Sequence, residues 1–414
     1  MISTDVVIVG GGCIGLTLAL ALANHDIKVT VIDGGPKEQL LTDSPELRVS
    51  ALSHASEALF TRLDVWDDII KIRVCPYQSM YVWEKDSFAN IHFDSEQLSY
   101  SQLGYIVENK VIRNSLLNKL EKVGDTVNLV FEQKVKQINI GDREVLLALE
   151  DGTPIIGQLL VGADGANSFV RQHLDMPITF WDYEHEAIIA TVKTELDHQF
   201  CASQCFLPDG PLAFLPLAGT HISAENPQNF SSIVWSTCSE RAKLLLSCAQ
   251  KQFDQYLTTA FDGRLGLCEL QSKRVSFPLK MRYARQWTSS RVTLIGDAAH
   301  TIHPLAGLGM NLGLLDAASL AQVLIEAKND REDLGLHQVL RAFERQGKAR
   351  AQTYIAAMEG LKRLFTGDNP VLKFIRGSGL SMANSISPIK HQIIKQAMGL
   401  TGELPELSKP LKRD

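Results

Sequence analysis

Residues 5–33 read DVVIVGGGCIGLTLALALANHDIKVTVID, and this stretch decides the fold. DVVIVG is a short apolar, β-branched run. LTLALALANH has helical composition, and IKVTVID is a second strand with alternating apolar positions. Gly10, Gly12 and Gly15 sit between the first strand and the helix in the spacing G-x-G-x-x-G. Strand, glycine turn, helix and strand in this order open a dinucleotide-binding βαβ unit. Gly10 allows the tight turn, Gly12 lets pyrophosphate oxygens approach the backbone, and Gly15 lets helix and strand pack closely. The helix N-terminus offers unpaired N–H groups and a partial positive charge. Asp33, which closes the second strand, can accept hydrogen bonds from both hydroxyls of an adenosine ribose.

Two further strand ends carry an Asp–Gly or Gly–Asp pair. In VGADGANSFVR (161–171), Asp164 and Gly165 are followed by Ser168 and Arg171. A carboxylate there faces the ligand crevice of an open sheet, and an ordinary Asx turn fits the same residues. In LIGDAAHTIHPLAGLGMNLG (294–313), Gly296 and Asp297 end a strand, and Pro304, Gly307, Gly309 and Asn311 lead into an apolar helix. Asp297, His300 and His303 are close enough to suggest a metal site, but the rest of the loop is glycine and apolar residues rather than further ligands, so no metal is expected. A backbone bare of side chains at Gly307 and Gly309 suits a flat isoalloxazine ring. The helix start behind it can stabilise negative charge on the reduced ring by about 0.3–2 kcal/mol. Asp297 is placed to bind a ribityl hydroxyl.

The chain has 414 residues, 45% hydrophobic and 21% charged, which fits a soluble enzyme with room for two domains. Its formal charge of −6 and the lack of a basic cluster interleaved with aromatics argue against a nucleic-acid partner. The cysteines are 7, without any Cys-x-x-Cys, so neither a zinc ribbon nor a thioredoxin-type dithiol is supported. MISTDVVIVGGG has no basic region before its apolar run, and LTLALALA (16–23) is far short of a spanning helix of ~20 residues. A cytoplasmic protein is expected.

The expected fold class is mixed α/β (α+β): a Rossmann-like cofactor domain interleaved with a mostly antiparallel β-sheet, and a helical C-terminus. The runs assign 1–75, 100–175 and 285–365 to the cofactor domain, 76–99 and 176–284 to a substrate-binding sheet, and 366–414 to the C-terminal helical segment. Apolar periodicity predicts helices near 54–63, 109–122 and 239–260. The sheet makes a natural wall for a substrate pocket.

The three motifs in this order resemble the flavin-dependent aromatic hydroxylases of the p-hydroxybenzoate hydroxylase type. Within them, LRVSALSHASEALFTRLDVWD (47–67), YIVENKVIRNSL (105–116), FWDYEHEAIIATV (180–192), LAFLPL (212–217) and GDAAHTIHPLAG (296–307) look like the ubiquinone-biosynthesis ring hydroxylases, most of all the 2-polyprenylphenol hydroxylase branch. The likeness runs from residue 2 to QAMGL (396–400). It implies FAD, with Gly10, Gly12, Gly15 and Asp33 on the ADP half, Asp164 near the ribityl–pyrophosphate region and Asp297 on the ribityl chain. It also implies that Arg48, Ser50, Asn109 and Arg113 lie along the cofactor; a surface charge for Arg48 and a helix cap for Asn109 fit as well. Relatives usually read GQG where this chain has Leu308 between its glycines.

The reaction implied is hydroxylation of a polyprenylated phenol ortho to its hydroxyl, through a flavin C4a-hydroperoxide, with O2 and transient NAD(P)H. A flavin-dependent reductase or dehydrogenase acting on a lipid, or a hydroxylase for another ring position, stays open. No phenol-activating base stands out. His300 and His303 are the imidazoles tied to the flavin loop, and each also fits a hydrogen-bonded structural role. The stretch 369–400, with Lys373, Arg376, Lys390 and Lys395 among apolar residues, either packs on its own domain or docks on a membrane surface or on other ubiquinone-biosynthesis proteins.

Overall fold

The structure is a computed structural model that describes residues 1–42, 44–88, 90–218, 229–301, 308–365, 390–392, 395 and 398–410. Its central elements are β1 (Val6–Val9), α1 (Cys13–Ala23), β2 (Val29–Asp33), α2 (Asn109–Leu120), β3 (Val127–Phe131), β4 (Leu159–Gly162), β5 (Val292–Leu294), α3 (Leu308–Asn329) and α4 (His337–Phe365). The parallel strands lie in the order β5-β4-β1-β2-β3, with Thr288–Ser289 antiparallel on the outside of β5. Val6, Val7, Ile8, Leu159, Leu160 and Val161 are all fully buried, as a parallel sheet covered on both faces requires. Helix α1 packs against α2 and α3. By length and composition Gly309–Asn329 passes for a membrane span, yet 72% of its apolar window is buried inside the protein, so it is a core helix here.

Parallel order has one consequence for function. The carboxyl ends of β1, β2, β4 and β5 lie along one edge of the sheet, so Gly10, Asp33, Asp164 and Asp297 meet there.

A second sheet runs Asn90–Asp94, Ser79–Glu84, Cys201–Leu207, Gly210–Pro216, Phe230–Cys238, Ile178–Thr194, Val275–Ala284 and His300–Thr301, with Cys268–Leu270 beside Ile178–Thr194. It is antiparallel except where Ser79–Glu84 meets Cys201–Leu207. Helices Ser239–Ser247 and Gln250–Ala260 cover one face, placing Ala242, Leu245, Phe253 and Leu257 on Ile188, Phe214 and Trp235. The single helix expected at 239–260 is thus two. Cys248 and Ala249 are extended, and the Arg274 guanidinium satisfies the carbonyls of Leu245 and Cys248 where the first helix stops.

The other face of this sheet packs on a small sheet of Val49–Leu52, Gly104–Glu108 and Val74–Tyr77. Alternation sends Leu52, Val74, Tyr105 and Val107 into the cofactor-domain core, and Val49, Ala51, Cys75, Tyr77 and Ile106 into the apolar layer between the two sheets. Two boundaries differ from the sequence assignment. Val74–Tyr77 belongs to the small sheet, so the larger one begins at Ser79; and His300–Thr301 pairs with Val275–Ala284, so segment 285–365 lends an edge strand to the substrate sheet. A two-residue strand has no period to read.

Candidate active site

The glycine turn is shaped by contacts rather than by flexibility. Gly10 has φ of +119°, and a Cβ there would lie 2.3 Å from the Ala163 carbonyl oxygen, at the end of β4. At Gly15 it would lie 2.0 Å from the Gly10 oxygen, so α1 rests directly on the turn. A Cβ at Gly12 would meet no atom of the described residues within 4 Å, and no side chain caps the helix there. The first N–H groups of α1 therefore face open space. Asp33 accepts from the Gly11 N–H at 2.6 Å and the Gly35 N–H at 2.7 Å.

Residues from α2 brace this turn. Buried Arg113 donates to the carbonyls of Gly11 (3.0 Å), Lys37 (2.7 Å) and Pro36 (2.9 Å), tying the turn after β1 to the loop after β2. Ser50 donates to the Asn109 side-chain oxygen at 2.7 Å, and the Asn109 N–H donates to the Arg48 carbonyl at 3.0 Å. The Arg48 side chain is exposed.

In the second motif, Asp164 Oδ2 accepts from the N–H groups of Phe169 (2.6 Å) and Val170 (3.1 Å). Its Oδ1 is buried with no partner among the described residues. Burial raises the carboxyl pKa above the ordinary value, against the lowering effect of the Ser168 hydroxyl and the backbone N–H groups. Gly165 follows with φ of +79°. Arg171, buried, donates to Ala166 (2.9 Å) and to Ala298 (2.8 Å), which joins the second motif to the third.

In the third motif, Gly296 has φ of +58° and donates its N–H to Asp316 Oδ2 at 3.1 Å. Asp297 is open to water by surface area yet walled by protein on most sides, as a residue lining a concavity is. That enclosure raises its carboxyl pKa, opposed by the charges of His300, Arg48 and Arg282. His300 is 2% exposed and donates from Nε2 to Asp316 Oδ2 at 2.6 Å, with its ring 5.0 Å from that of Trp287. Such a histidine supports the loop from behind. Asn311 accepts from the Ser53 N–H (2.9 Å) and Ser56 Oγ (2.7 Å) and donates to the Ala51 carbonyl (2.7 Å), pinning the first turn of α3 to the small sheet. A Cβ at Gly309 would meet nothing among the described residues within 4 Å. His303, Pro304 and Gly307 lie outside the described residues, as does the Leu308 side chain. Among the described residues no group of three or more His, Cys, Asp or Glu could hold a metal ion.

Arg171 and Asp316 were not singled out as site residues by the sequence. Asp316 did leave a signal: one carboxylate inside the apolar run NLGLLDAASLA must be buried, and a buried carboxylate needs a donor.

The three motifs thus converge on one crevice, with the uncapped start of α1 at one end. The family model described as FAD binding domain matches residues 3–357. The chain is 36% identical over 398 residues to the 3-demethoxyubiquinol 3-hydroxylase of Escherichia coli, covering 96% of this chain and 99% of that protein. The chain belongs to the family of FAD-dependent ubiquinone-biosynthesis hydroxylases. Within this family it is also 34% identical to the ubiquinone biosynthesis monooxygenase COQ6, mitochondrial, of Homo sapiens, over 94% of this chain and 91% of that one. The fold is shared with p-nitrophenol 4-monooxygenase PnpA from Pseudomonas putida, at a TM-score of 0.78 and 20% identity, covering 97% of this chain and 99% of that chain. Membership makes the chain an FAD-dependent monooxygenase.

Proposed function

We propose that this protein hydroxylates a polyprenylated phenol ortho to its hydroxyl in ubiquinone biosynthesis. The observation that carries the reading is the apolar layer between the two sheets. Its residues are small or apolar (Ala51, Cys75, Ile106, Ala202, Leu215, Leu217), and Ala51 is the residue whose carbonyl Asn311 grips at the start of α3. Apolar surroundings beside the cofactor crevice suit an apolar ring and a prenyl tail. The named relatives act on quinone precursors by their names, which supports the same substrate class.

The crevice fits FAD on its own chemistry: an orphaned carboxylate oxygen on Asp164, no atom of the described residues over Gly12 or Gly309, and the uncapped start of α1. Gly10, Gly12, Gly15 and Asp33 would hold the ADP half, with Arg48, Ser50, Asn109 and Arg113 along it. Asp164 and Gly165 would meet the ribityl–pyrophosphate region, and Gly296, Asp297, Gly309 and Asn311 the flavin end. When bound, FAD supplies the redox chemistry, with NADH or NADPH as transient reductant and O2 as co-substrate. The protein's own part is to hold the ring against the flavin helix, to keep water away from the reacting atoms, and to fix the loop through His300 and Asp316. A lipid-borne substrate supports a peripheral position at the inner face of the membrane.

The test is to identify by mass spectrometry the quinone precursor that accumulates in cells lacking the protein. An intact ring C–H ortho to the phenol is the expected result, and normal quinone levels would refute the reading. Reductant consumption giving a reduced rather than oxygenated lipid would favour a reductase.

Asp164→Asn tests the cofactor half. Because folding raises the Asp164 pKa, the ionised side chain destabilises the folded protein above the ordinary carboxylate range, and this cost fades as pH falls. Asparagine keeps an oxygen for the Phe169 and Val170 N–H groups. The apo variant should therefore melt at or above the wild-type temperature near pH 8, while FAD binds about tenfold more weakly. Calorimetry and FAD titration measure both; a destabilised apo protein with unchanged FAD affinity would contradict the assignment.

A further inference from the structure

One strand of the larger sheet begins with an open edge. Ile178–Thr194 pairs with Val275–Ala284 from Ile178 onward, but with Phe230–Cys238 only from His185. A bulge between Asp182 and Glu186, with Glu184 at φ of +55°, turns the strand away from that second neighbour. Residues 178–182, Ile-Thr-Phe-Trp-Asp, thus have a strand on one side and none among the described residues on the other. All five are exposed, Phe180 at 48% and Trp181 at 59%. The Arg285 N–H donates to the Pro177 carbonyl at 2.8 Å, so antiparallel alternation turns the backbone groups of Thr179 and Trp181 inward as well. Those of Ile178, Phe180 and Asp182 face the open side.

Proteins guard such edges with proline, lysine or a bulge. Here Pro177 and the bulge mark the two ends, and no proline or lysine stands between them. Lipid does not suit the edge, because hydrocarbon cannot bond the outward N–H and C=O groups. A strand does. We propose that this edge joins the same edge of a second copy of this chain, as an antiparallel pair centred on Phe180. The two-fold axis follows from the alternation: of the three outward residues the middle one, Phe180, meets its own copy, and Ile178 meets the partner's Asp182. Lys280 already pairs with Asp182 at 3.3 Å, so no uncompensated charge enters the joint. On the opposite face Thr179 comes to lie across from the partner's Trp181. Arg285 lays its guanidinium there, with Nε 3.2 Å from Thr179 Oγ1. Each copy therefore offers a cation where the other offers an exposed indole, an arrangement that favours a second copy over an unrelated strand.

Sedimentation velocity of the FAD-loaded full chain, over a dilution series from ~50 μM, tests the proposal. Wild type should sediment as a dimer that dissociates on dilution. Phe180→Pro removes an outward N–H and no bond to Val275–Ala284, and Trp181→Lys sets a cation against the partner's Arg285. Each should raise the dimer dissociation constant about tenfold or more, with FAD content and melting temperature unchanged. If proline at position 180 lowers the melting temperature, Trp181→Lys, at an exposed position, carries the test alone. Adding Arg285→Glu to Trp181→Lys restores opposite charges across the joint and should recover the dimer, which an interface elsewhere would not do. A wild type that stays monomeric throughout, or a dimer that neither variant weakens, would overturn the proposal. Trp66, Trp83, Trp235 and Trp287 are buried, so a change in tryptophan emission on exposure to solvent or lipid reports on Trp181. A monomer whose emission shifts to the blue with phosphatidylglycerol vesicles would assign the edge to a membrane surface and overturn the proposal as well.

Discussion

Gly15→Val is expected to yield no FAD-loaded protein. A Cβ at this position would lie 2.0 Å from the Gly10 carbonyl oxygen and 3.3 Å from Ile8 Cγ2, and the first of these is backbone that no rotamer change can clear. Relief requires α1 to lift off β1, and α1 is wedged between that strand and the helices α2 and α3. Overpacking of this kind costs on the order of 1–3 kcal/mol when side chains can adjust, and more when only backbone can move. That is a large share of a domain's total stability of about 5–15 kcal/mol. Lifting α1 also displaces the N–H groups that would face pyrophosphate. Gly12→Ala makes the contrast, because a Cβ there meets no described atom within 4 Å. It should fold and melt like wild type yet bind FAD more weakly, since the added methyl occupies the space meant for phosphate oxygens. Soluble yield, the ratio of flavin to protein absorbance, and thermal melts separate the two outcomes. A yellow Gly15→Val protein with wild-type melting would contradict the packing argument.

The difference between these two glycines shows what the sequence could and could not disclose. The G-x-G-x-x-G spacing is local, and its tasks follow from strand, turn and helix geometry over six residues; hence the cofactor domain was legible from residues 5–33 alone. The positions of Asp164 and Asp297 just beyond the ends of short apolar strands were legible for the same reason. The braces were not. Arg113 serves Gly11, Arg171 serves Ala298, and Asn311 serves Ala51, and each pair is separated by more than 90 positions. A side chain's partner at that range is fixed by the tertiary fold, and no period or spacing encodes it. Arg113 and Asn311, expected along the cofactor, also have polar atoms engaged with protein, holding the turn and the first turn of α3 in place. The apolar layer between the two sheets was illegible too. It arises because Ala51, Cys75 and Ala202, far apart in the chain, come to face one another across two sheets.

Asp316→Leu should cost on the order of 3–5 kcal/mol of stability and release the flavin loop. The Asp316 side chain is fully buried, and its Oδ2 takes the His300 Nε2 proton at 2.6 Å and the Gly296 N–H at 3.1 Å. Leucine leaves both buried donors facing hydrocarbon in place of the acceptor they lose. Gly296 holds φ of +58°, a conformation the bond to Asp316 helps to fix, and Asp297 follows it directly. The loss should therefore appear twice, as a lowered melting temperature and as FAD that washes off during purification. Asp316→Asn retains one oxygen acceptor, so it should keep a folded, partly loaded protein. Arg350 reaches the same carboxylate from α4, with Nη1 4.0 Å from Asp316 Oδ1, and neither atom has a hydrogen-bond partner among the described residues. At that separation the charge is felt without a bond, so Arg350→Met should weaken FAD retention less than Asp316→Leu does. If the leucine variant retained FAD with wild-type affinity, the loop would have to be held by something other than the His300–Asp316 pair.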